Sequence, residues 1–389
     1  MMFGFKRPKP KPVQPGINVN FDTRLANLKF REYRIAYFSE DFTSNTFRYR
    51  CLNPSEAINT LSQDISASCF SLVDAPHIEN IAKAADQLVI CRTRYDENIQ
   101  RIIDCFKKLG KSVFFDIDDL IFNTSYAKLV ANSIGYSVRN ENEWNSWFAY
   151  MSRHEATMRM CDGCITTNTT LAKEIERHTN LPTKVMRNFL NHRQESYSDE
   201  LFYNKASKKS IGGHNTKIGY FSGTPTHAED FKIAYEGICS AMHSREDIQL
   251  LLVGHVNHDA LDKAHSKRTT ILKPHDPITL QKLINSVDIN IAPLNLNIFT
   301  ECKSELKFFE AGIVGTITIA SPSKVYKDCI QDGENGLLAD KDQWHDRIIS
   351  VVDSRVDKIK MSSQCRDTAK TKYSWKSMLT EIKAANRIE

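Results

Sequence analysis

The chain has 389 residues, of which 41% are hydrophobic and 25% are charged, and its formal net charge at pH 7 is +5. The length favours two domains, and the composition is typical of globular proteins. So mild a charge permits attraction to anionic nucleotides or to an anionic membrane surface, but we expect no nucleic acid partner. No run of about 18 apolar residues occurs, so we expect no membrane-spanning helix.

The amino terminus, MMFGFKRPKPKPVQPG, alternates lysine with proline and lacks the apolar core of a signal peptide. We predict a flexible basic tail over residues 1–30. The ten cysteines are scattered, and the closest pair is Cys161 and Cys164. Their spacing allows a redox pair or half of a zinc site, but no second Cys/His pair accompanies them. We therefore expect buried thiols in a reducing cytoplasm.

Residues 31–205 alternate between strand and helix patterns. The predicted strands are 34–40, 66–73, 87–92, 112–119, 163–168 and 183–191. The predicted helices between them are 53–62, 77–85, 97–109, 141–160 and 170–178. This alternation predicts a parallel sheet that is covered on both faces, as in a Rossmann-like domain.

Basic residues follow two of these strands. Arg48 and Arg50 come after the first strand, and Arg92 and Arg94 lie at the end of the third. Parallel sheets bind ligands beyond the carboxyl ends of their strands. The arginines therefore either hold a ligand phosphate or pair with nearby carboxylates and brace the loops.

Carboxylates lie at the carboxyl end of the fourth strand, in the sequence FFDIDD, which contains Asp116, Asp118 and Asp119. An Asp-x-Asp motif suits Mg²⁺ or Mn²⁺, which prefer oxygen ligands. Three residues make a weak motif, however, and we expect no metal. We favour Asp118 or Asp119 as a carboxylate that contacts a ligand or fixes the loop.

Two further patterns in this half leave alternatives open. The helix at 141–160 carries Trp144, Trp147, Phe148 and Met151, which we interpret as core rather than as a platform for a sugar. Asn188 lies at the exit of the last strand, where its amide can bind sugar hydroxyls or cap a turn.

A polar, basic segment with Gly-Gly, residues 206–215, is the predicted linker. Strand–helix alternation then restarts, which predicts a second Rossmann-like domain at 216–372. A final helix, 373–389, is expected to cross back onto the first domain. After the strand at 217–223, Gly223 allows a backbone to approach a phosphate, and Thr224 is a candidate helix cap, with His227 nearby.

The most informative stretch runs from Phe299 to Gly336. We predict a helix from Lys303 to Ala311, with Lys303, Lys307 and Glu310 on one face at i, i+4 and i+7. The lysines and the helix amino end favour a pyrophosphate, and the carboxylate can accept protons from ribose hydroxyls. The alternative is an ordinary solvated face.

The same stretch resembles the donor-binding element of GT-B-type glycosyltransferases, in particular the retaining, family-four-like enzymes (glycosyl transferases group 1). It contains EAGIVG from Glu310 and DGENG from Asp332. The family commonly carries a second glutamate eight positions before the Glu-Ala pair, where this chain has Cys302. The resemblance implies an α/β GT-B fold, in which two Rossmann-like domains with parallel sheets face a central cleft.

The resemblance also implies a function. A sugar would pass from a nucleoside-diphosphate sugar to a glycan or lipid-linked glycan acceptor, with retention of configuration and without a bound cofactor. The setting would be surface-polysaccharide or lipopolysaccharide synthesis in the cytoplasm, with a peripheral contact at the inner face of the cytoplasmic membrane. The alternatives are a non-catalytic binding module of the same fold and a metal-dependent transferase that uses Asp116–Asp119.

The resemblance and the residue patterns together give expected roles. The catalytic candidates are Lys303, Glu310 and Asp118. The donor-binding candidates are Gly223, Thr224, His227, Pro293, Lys303, Ser304, Glu305, Lys307 and Glu310. The acceptor-binding candidates are Arg48, Arg50, Asp119 and Asn188.

Overall fold

The computed structural model describes residues 19–208, 215–223, 228–256 and 263–388. These residues form two compact units. The first unit holds the described residues up to Ile117 together with Ala156–Cys164. The second unit holds Asp118–Glu155 and the described residues from Ile165 onward.

The strands form two six-stranded sheets. Their bounds are β1 Tyr33–Ser39, β2 Ile65–Ser71, β3 Gln87–Cys91, β4 Ser112–Ile117, β5 Gly163–Thr166, β6 Thr183–Val185, β7 Thr216–Ser222, β8 Ile248–Gly254, β9 Thr269–Leu272, β10 Ile289–Ala292, β11 Ile317–Ala320 and β12 Leu337–Leu338. The order is β2-β1-β3-β4-β5-β6 in one sheet and β12-β11-β10-β7-β8-β9 in the other. Neighbouring strands are parallel, for example β1 with β3 and β7 with β8. The predicted α/β class with parallel sheets is confirmed.

Helices connect the strands. Their bounds are α1 Phe21–Leu28, α2 Asn45–Phe47, α3 Asn53–Leu61, α4 Ile78–Ala84, α5 Glu97–Lys108, α6 Ala127–Ser133, α7 Glu141–Arg159, α8 Thr169–Thr179, α9 His192–Lys208, α10 Ala228–Ser244, α11 Pro277–Asn285, α12 Ile298–Glu301, α13 Leu306–Gly312, α14 Lys324–Cys329, α15 Trp344–Val352, α16 Lys358–Tyr373 and α17 Leu379–Ala385. A π-helical turn, Arg48–Leu52, joins α2 to α3. None of the described helices is both long and apolar enough to cross a membrane.

Helix α5 illustrates why the predicted helices form. The Asp96 side chain caps its first turn by accepting a hydrogen bond from the Ile99 backbone N–H at 2.9 Å. Ile99, Ile102 and Phe106 recur at helical spacing and are fully buried. Gly110, which has a φ of +68°, then turns the chain out of the helix.

Helix α1 lies within the segment that the sequence predicts as a flexible tail. Asn20 caps it by accepting from the Thr23 N–H. Arg24 is buried and donates to both carboxylate oxygens of Asp74, at 2.7 and 2.8 Å. Because this ion pair ties α1 to the first unit, the prediction of a flexible tail is wrong for Phe21–Leu28.

The predicted strand at 183–191 is much shorter in the structure, where β6 ends at Val185. Beyond β6, the Arg187 backbone N–H and guanidinium donate to Glu381. The Leu190 N–H donates to the Tyr373 carbonyl at 2.9 Å. The backbone after β6 therefore pairs with the carboxyl-terminal segment, and α17 packs against β6.

Two predictions about side-chain burial have different outcomes. Cys161 and Cys164 are buried, as predicted, and burial raises the pKa of both thiols. The aromatic stripe of α7, in contrast, is not core, because Trp144 and Trp147 are half-buried and Phe148 is 43% exposed. That prediction is wrong for the amino-terminal half of α7.

Candidate donor-binding site

The helix predicted at 303–311 begins three residues later in the structure, and a separate short helix precedes it. Helix α12 ends at Glu301, and α13 begins at Leu306. The Asn168 side chain donates to the Cys302 carbonyl at 2.9 Å. Residues 302–305 are not helical and form a turn between α12 and α13. The prediction that Lys303 and Lys307 share one helix face is therefore wrong.

Lys303 lies in this turn and makes an ion pair. Its Nζ is 2.7 Å from Asp119 Oδ1, and the two side chains are 15% and 18% exposed. The ammonium also lies 4.3 Å from the centroid of the Phe299 ring. The structure thus brings together Lys303, a predicted donor-side residue, and Asp119, a predicted acceptor-side residue.

A second contact joins the same turn to a predicted acceptor-side residue. Asn188 is buried, and its Nδ2 donates to Ser304 Oγ at 3.1 Å. Asn168, which the sequence analysis did not select, holds the turn from α8, where its Oδ1 also caps the helix. Both asparagines therefore position the backbone or side chains of residues 302–304.

Glu305 is only 5% exposed, although it is a predicted donor ligand. Burial raises the pKa of its carboxyl group, while a hydrogen bond with Tyr373 and the charge of Arg187 oppose this rise. Arg187 is itself 2.6 Å from Glu381. Its hydrogen bond with Tyr373 and the neighbouring Arg187 favour a structural role for Glu305 over the predicted contact with a donor.

Glu310 lies on α13 and is held by side chains from α9 and α11. Its Oε1 accepts from Gln194 Nε2 at 3.1 Å, and its backbone carbonyl accepts from Gln281 Nε2 at 3.1 Å. Gln281 Nε2 also donates to Ser198 Oγ at 2.8 Å. Neither glutamine is predictable as a site residue from the sequence, because glutamine on an amphipathic helix gives no signal of which partner it contacts.

Lys307 carries a buried ammonium group. Its Nζ is buried and has no hydrogen-bond partner among the described residues. It lies 4.4 Å from the centroid of the Tyr220 ring. Burial lowers the pKa of Lys307 to about 8, although the charges of Asp230 and Glu310 act in the opposite direction. A buried cation without a hydrogen-bonding anion is costly, and an anionic ligand would relieve that cost.

The surroundings of this ammonium lie at the carboxyl ends of β7 and β10. Tyr220 is in β7, which ends at Ser222, and exposed Gly223 follows. Asp230, near the start of α10, accepts from the Asn295 N–H at 3.1 Å. Pro293 is buried directly after β10. The predicted residues Thr224 and His227 lie outside the described part of the chain.

The end of β7 depends on one glycine. Gly254, at the end of β8, has a φ of +100°, and a Cβ there would lie 1.9 Å from the Ser222 carbonyl oxygen. The next residue, His255, donates its N–H to the same carbonyl at 3.1 Å. The close approach of the two strand ends therefore requires glycine at this position.

The predicted acceptor residues of the first unit have other partners. Arg50 and Asp116 are fully buried and form a bidentate ion pair. Arg50 Nε donates to Oδ1 of Asp116 at 2.8 Å, and Nη2 donates to Oδ2 at 2.7 Å. Arg48 lies over the Tyr49 ring, 4.2 Å from its centroid. Arg94 pairs with Glu40 at 2.8 Å. For Arg50, the structure supports the bracing alternative rather than contact with an acceptor.

Two of the three carboxylates of the predicted alternative metal site have other partners. Asp116 is engaged by Arg50, and Asp119 is engaged by Lys303. Asp118 is half-buried. No group of three His, Cys, Asp or Glu side chains within the described ranges is placed to hold a metal ion.

Comparison with protein families gives one match. Residues 216–354 match the model of the family described as "Glycosyl transferases group 1". This region contains β7 to β12 and both Lys307 and Glu310. No curated protein matches the chain.

Solved structures share the fold over most of the chain. HepE of Anabaena, solved with UDP and glucose, has 12% identity and a TM-score of 0.59, covering 91% of this chain and 99% of its own. Sucrose-phosphate synthase of Thermosynechococcus elongatus has 13% identity and a TM-score of 0.57, and the match covers 91% of this chain and 98% of the synthase. WaaG, a glycosyltransferase involved in lipopolysaccharide biosynthesis, has 12% identity and a TM-score of 0.55, covering 91% and 99%. At these identities the likeness concerns the fold, and the predicted GT-B fold is confirmed.

Proposed function

We propose that this protein, whose residues 216–354 match the model of the glycosyl transferases group 1, transfers a sugar from a nucleoside-diphosphate sugar to a glycan acceptor. We place the donor at the carboxyl ends of β7 and β10. The domain bounds predicted above, 31–205, 216–372 and 373–389, form part of this proposal.

The buried ammonium of Lys307 is the observation that carries the proposal. It has no hydrogen-bond partner in the described chain, and Glu310 lies three residues further along the same helix. Residues at i and i+3 are neighbours on a helix surface. A cation beside a carboxylate fits a nucleoside diphosphate, whose phosphates need positive charge and whose ribose hydroxyls donate hydrogen bonds.

The chemistry requires that the departing nucleoside diphosphate is stabilised as its negative charge develops. Lys307 and Lys303 would supply that stabilisation, in a buried setting where electrostatic interactions are stronger than in water. Asp119 would hold Lys303 in place through their ion pair. Glu310 would hold the ribose, with Gln194 fixing its carboxylate.

The proposed donor and acceptor classes follow from the similar solved structures. HepE was solved with UDP-glucose, so UDP is the first nucleotide to test. WaaG acts in lipopolysaccharide biosynthesis, so we propose a lipid-linked glycan acceptor and action at the inner face of the cytoplasmic membrane. Asp118, Asp119 and Asn188 are the proposed acceptor-side residues, and retention of configuration is part of the proposal.

The test is a thermal-shift and ligand-NMR screen of UDP, GDP, dTDP and CMP against the wild-type chain and Glu310→Ala. One nucleotide should bind selectively without added metal, and Glu310→Ala should weaken it about tenfold or more. Glu334→Ala, an exposed glutamate of the DGENG loop, is the matched control. If a nucleotide binds only with Mn²⁺, the donor site proposed here is wrong.

A non-catalytic binding module of the same fold is the second candidate. Cys302 replaces a glutamate that the family commonly carries, and Glu305 is buried. With neither of these two carboxylates at the donor sugar, the chain would bind a nucleotide sugar and not transfer it. Nucleotide binding without any release of nucleoside diphosphate from a sugar donor would favour this candidate.

A further inference from the structure

Helix α7 carries an apolar stripe that is covered at one end only. Met151, His154 and Met158 are at most 1% exposed. Continuing the same spacing toward the amino end of α7 gives Trp144 and Trp147, which are half-buried. The stripe is therefore longer than the described protein surface that covers it.

Five aromatic residues form this open part, which we name the aromatic face: Tyr136, Trp144, Trp147, Phe148 and Tyr150. Tyr136 and Phe148 are 42% and 43% exposed. The ring centroids of Tyr136 and Trp147 are 5.7 Å apart, and those of Trp144 and Phe148 are 5.9 Å apart. The ring planes of Trp147 and Tyr150 make an angle of 88°. These contacts hold the rings in place beside one another.

The polar residues around the aromatic face carry little net charge. Over residues 136–153 the charged side chains are Arg139, Arg153, Glu141 and Glu143. The same stretch has three asparagines and three serines, and no lysine. An anionic membrane surface or a nucleic acid would call for an excess of basic residues, which is absent here.

We propose that the aromatic face binds uncharged pyranose rings of the acceptor glycan. One face of a pyranose exposes mainly C–H groups, which pack on a rigid aromatic ring, while the hydroxyls point outward to polar side chains. Tyrosine and tryptophan supply large contact areas at a small cost in side-chain entropy. Asparagine supplies both donors and acceptors for the hydroxyls. The proposal rests on the proposed function, because that function supplies the glycan.

The aromatic face lies close in the structure to the candidate donor-binding site. Ser133, in α6, is 3.2 Å from the Asn297 side chain, which caps α12. A Cβ at Gly135 would lie 3.2 Å from Glu229 in the first turn of α10. Tyr136 follows directly. An acceptor chain that reacts near Lys303 would therefore have the aromatic face as the adjoining surface.

The test measures the binding of two ligands, a glycan and UDP, to the same samples. A glycan array of uncharged oligosaccharides, followed by saturation-transfer NMR on the best binder, is run on the wild type and on the double variant Tyr136→Ser/Phe148→Ser. Both residues are more than 40% exposed, so the fold should survive. Phe30→Ser, at a position that is 76% exposed, is the matched control.

We expect the double variant to lose glycan affinity by about tenfold or more, with UDP binding unchanged and with the control unaffected. The proposal is wrong if no glycan binds the wild type, or if the double variant binds as well as the wild type. It is also wrong if the variant instead loses binding to phosphatidylglycerol vesicles or loses self-association in sedimentation. If neither UDP nor any other nucleotide binds the wild type, the proposed function fails instead.

Discussion

Lys303 Nζ lies 2.7 Å from Asp119 Oδ1, and the two residues are 184 positions apart in the chain. The pair is mostly buried, with side-chain exposures of 15% and 18%. Asn188 joins Ser304 next to it. The turn at 302–305 is therefore held by polar contacts from residues that precede it by more than a hundred positions.

Removing the ammonium of Lys303 should slow sugar transfer. We expect Lys303→Met to lower kcat by about 10²–10³-fold, because it removes a charge that stabilises the leaving group. Asp119→Asn should have a smaller effect, since it only loosens the position of Lys303. The kinetics of both variants and of the double variant test this, because the effects should be far from additive. Independent, additive losses would contradict a shared role.

Glu310 and Gln194 should act together in nucleotide binding. We expect Gln194→Leu to weaken nucleotide binding by a few-fold and Glu310→Gln to weaken it by about tenfold. The effect of Gln194→Leu is smaller because it removes only the group that orients the carboxylate. Titration calorimetry of the single and double variants checks this. Gln331→Leu, at an exposed position, is the control. Equal affinity in wild type and Glu310→Gln would rule out contact with the ribose.

The lowered pKa of Lys307 predicts how nucleotide affinity varies with pH. The free protein holds the charged ammonium only below a pKa of about 8. A bound phosphate favours the charged form and raises this pKa. Affinity should therefore be constant below pH 8 and fall by up to about tenfold per pH unit above it. Calorimetry between pH 7 and pH 9 measures this trend.

The matched variant for this prediction is Lys307→Arg. The guanidinium stays charged throughout that range, so its affinity should stay flat with pH. Binding should also take up protons in the wild type, which calorimetry in buffers of different ionisation enthalpy detects. A wild type whose affinity does not change between pH 7 and pH 9 would show that the phosphates do not meet Lys307.

The buried Arg50–Asp116 pair should matter for stability. Asp116→Asn leaves a fully buried guanidinium without its carboxylate, so we expect a loss of about 3–5 kcal/mol in the free energy of unfolding. Asp328→Asn breaks the exposed pair with Lys324 and should cost about 0.3–0.5 kcal/mol. Urea unfolding followed by fluorescence measures both. Similar losses in the two variants would mean that Arg50 is not buried with Asp116.

A methyl group at Gly254 should disturb the end of β7. We expect Gly254→Ala to lower the free energy of unfolding by about 3 kcal/mol, because strain at positive φ adds to overlap of the new methyl group with the Ser222 carbonyl. Gly333→Ala is the control, since Gly333 has a φ of +83° but nothing within 4 Å of the added carbon. It should cost about 1 kcal/mol. Unfolding curves that do not separate the two variants would contradict the close approach.

The predictable part of the fold is the part that follows local patterns. Strand β3 is buried along its whole length, and its sequence after Gln87 is a short apolar run between helices. Helix α5 carries its own cap and its own apolar stripe. These features depend on neighbouring residues, and a single sequence displays them.

The unpredicted part depends on residues far apart in the chain. Asn168 contacts the Cys302 carbonyl from 134 positions away, and Gln194 contacts Glu310 from 116 positions away. The same holds for Arg50 and Asp116, where the sequence leaves phosphate binding and bracing open. The stripe on α7 has core spacing, but spacing cannot tell whether a neighbour covers it.

The most direct measurement is the release of nucleoside diphosphate from a panel of UDP-, GDP- and dTDP-sugars without any acceptor. We predict slow release from one donor by the wild type, no effect of EDTA, and a loss of about 10²-fold in Lys303→Met. Lys324→Met, an exposed lysine, should release nucleotide at the wild-type rate. If a nucleotide binds but no donor is hydrolysed, the chain is a binding module and not a glycosyltransferase.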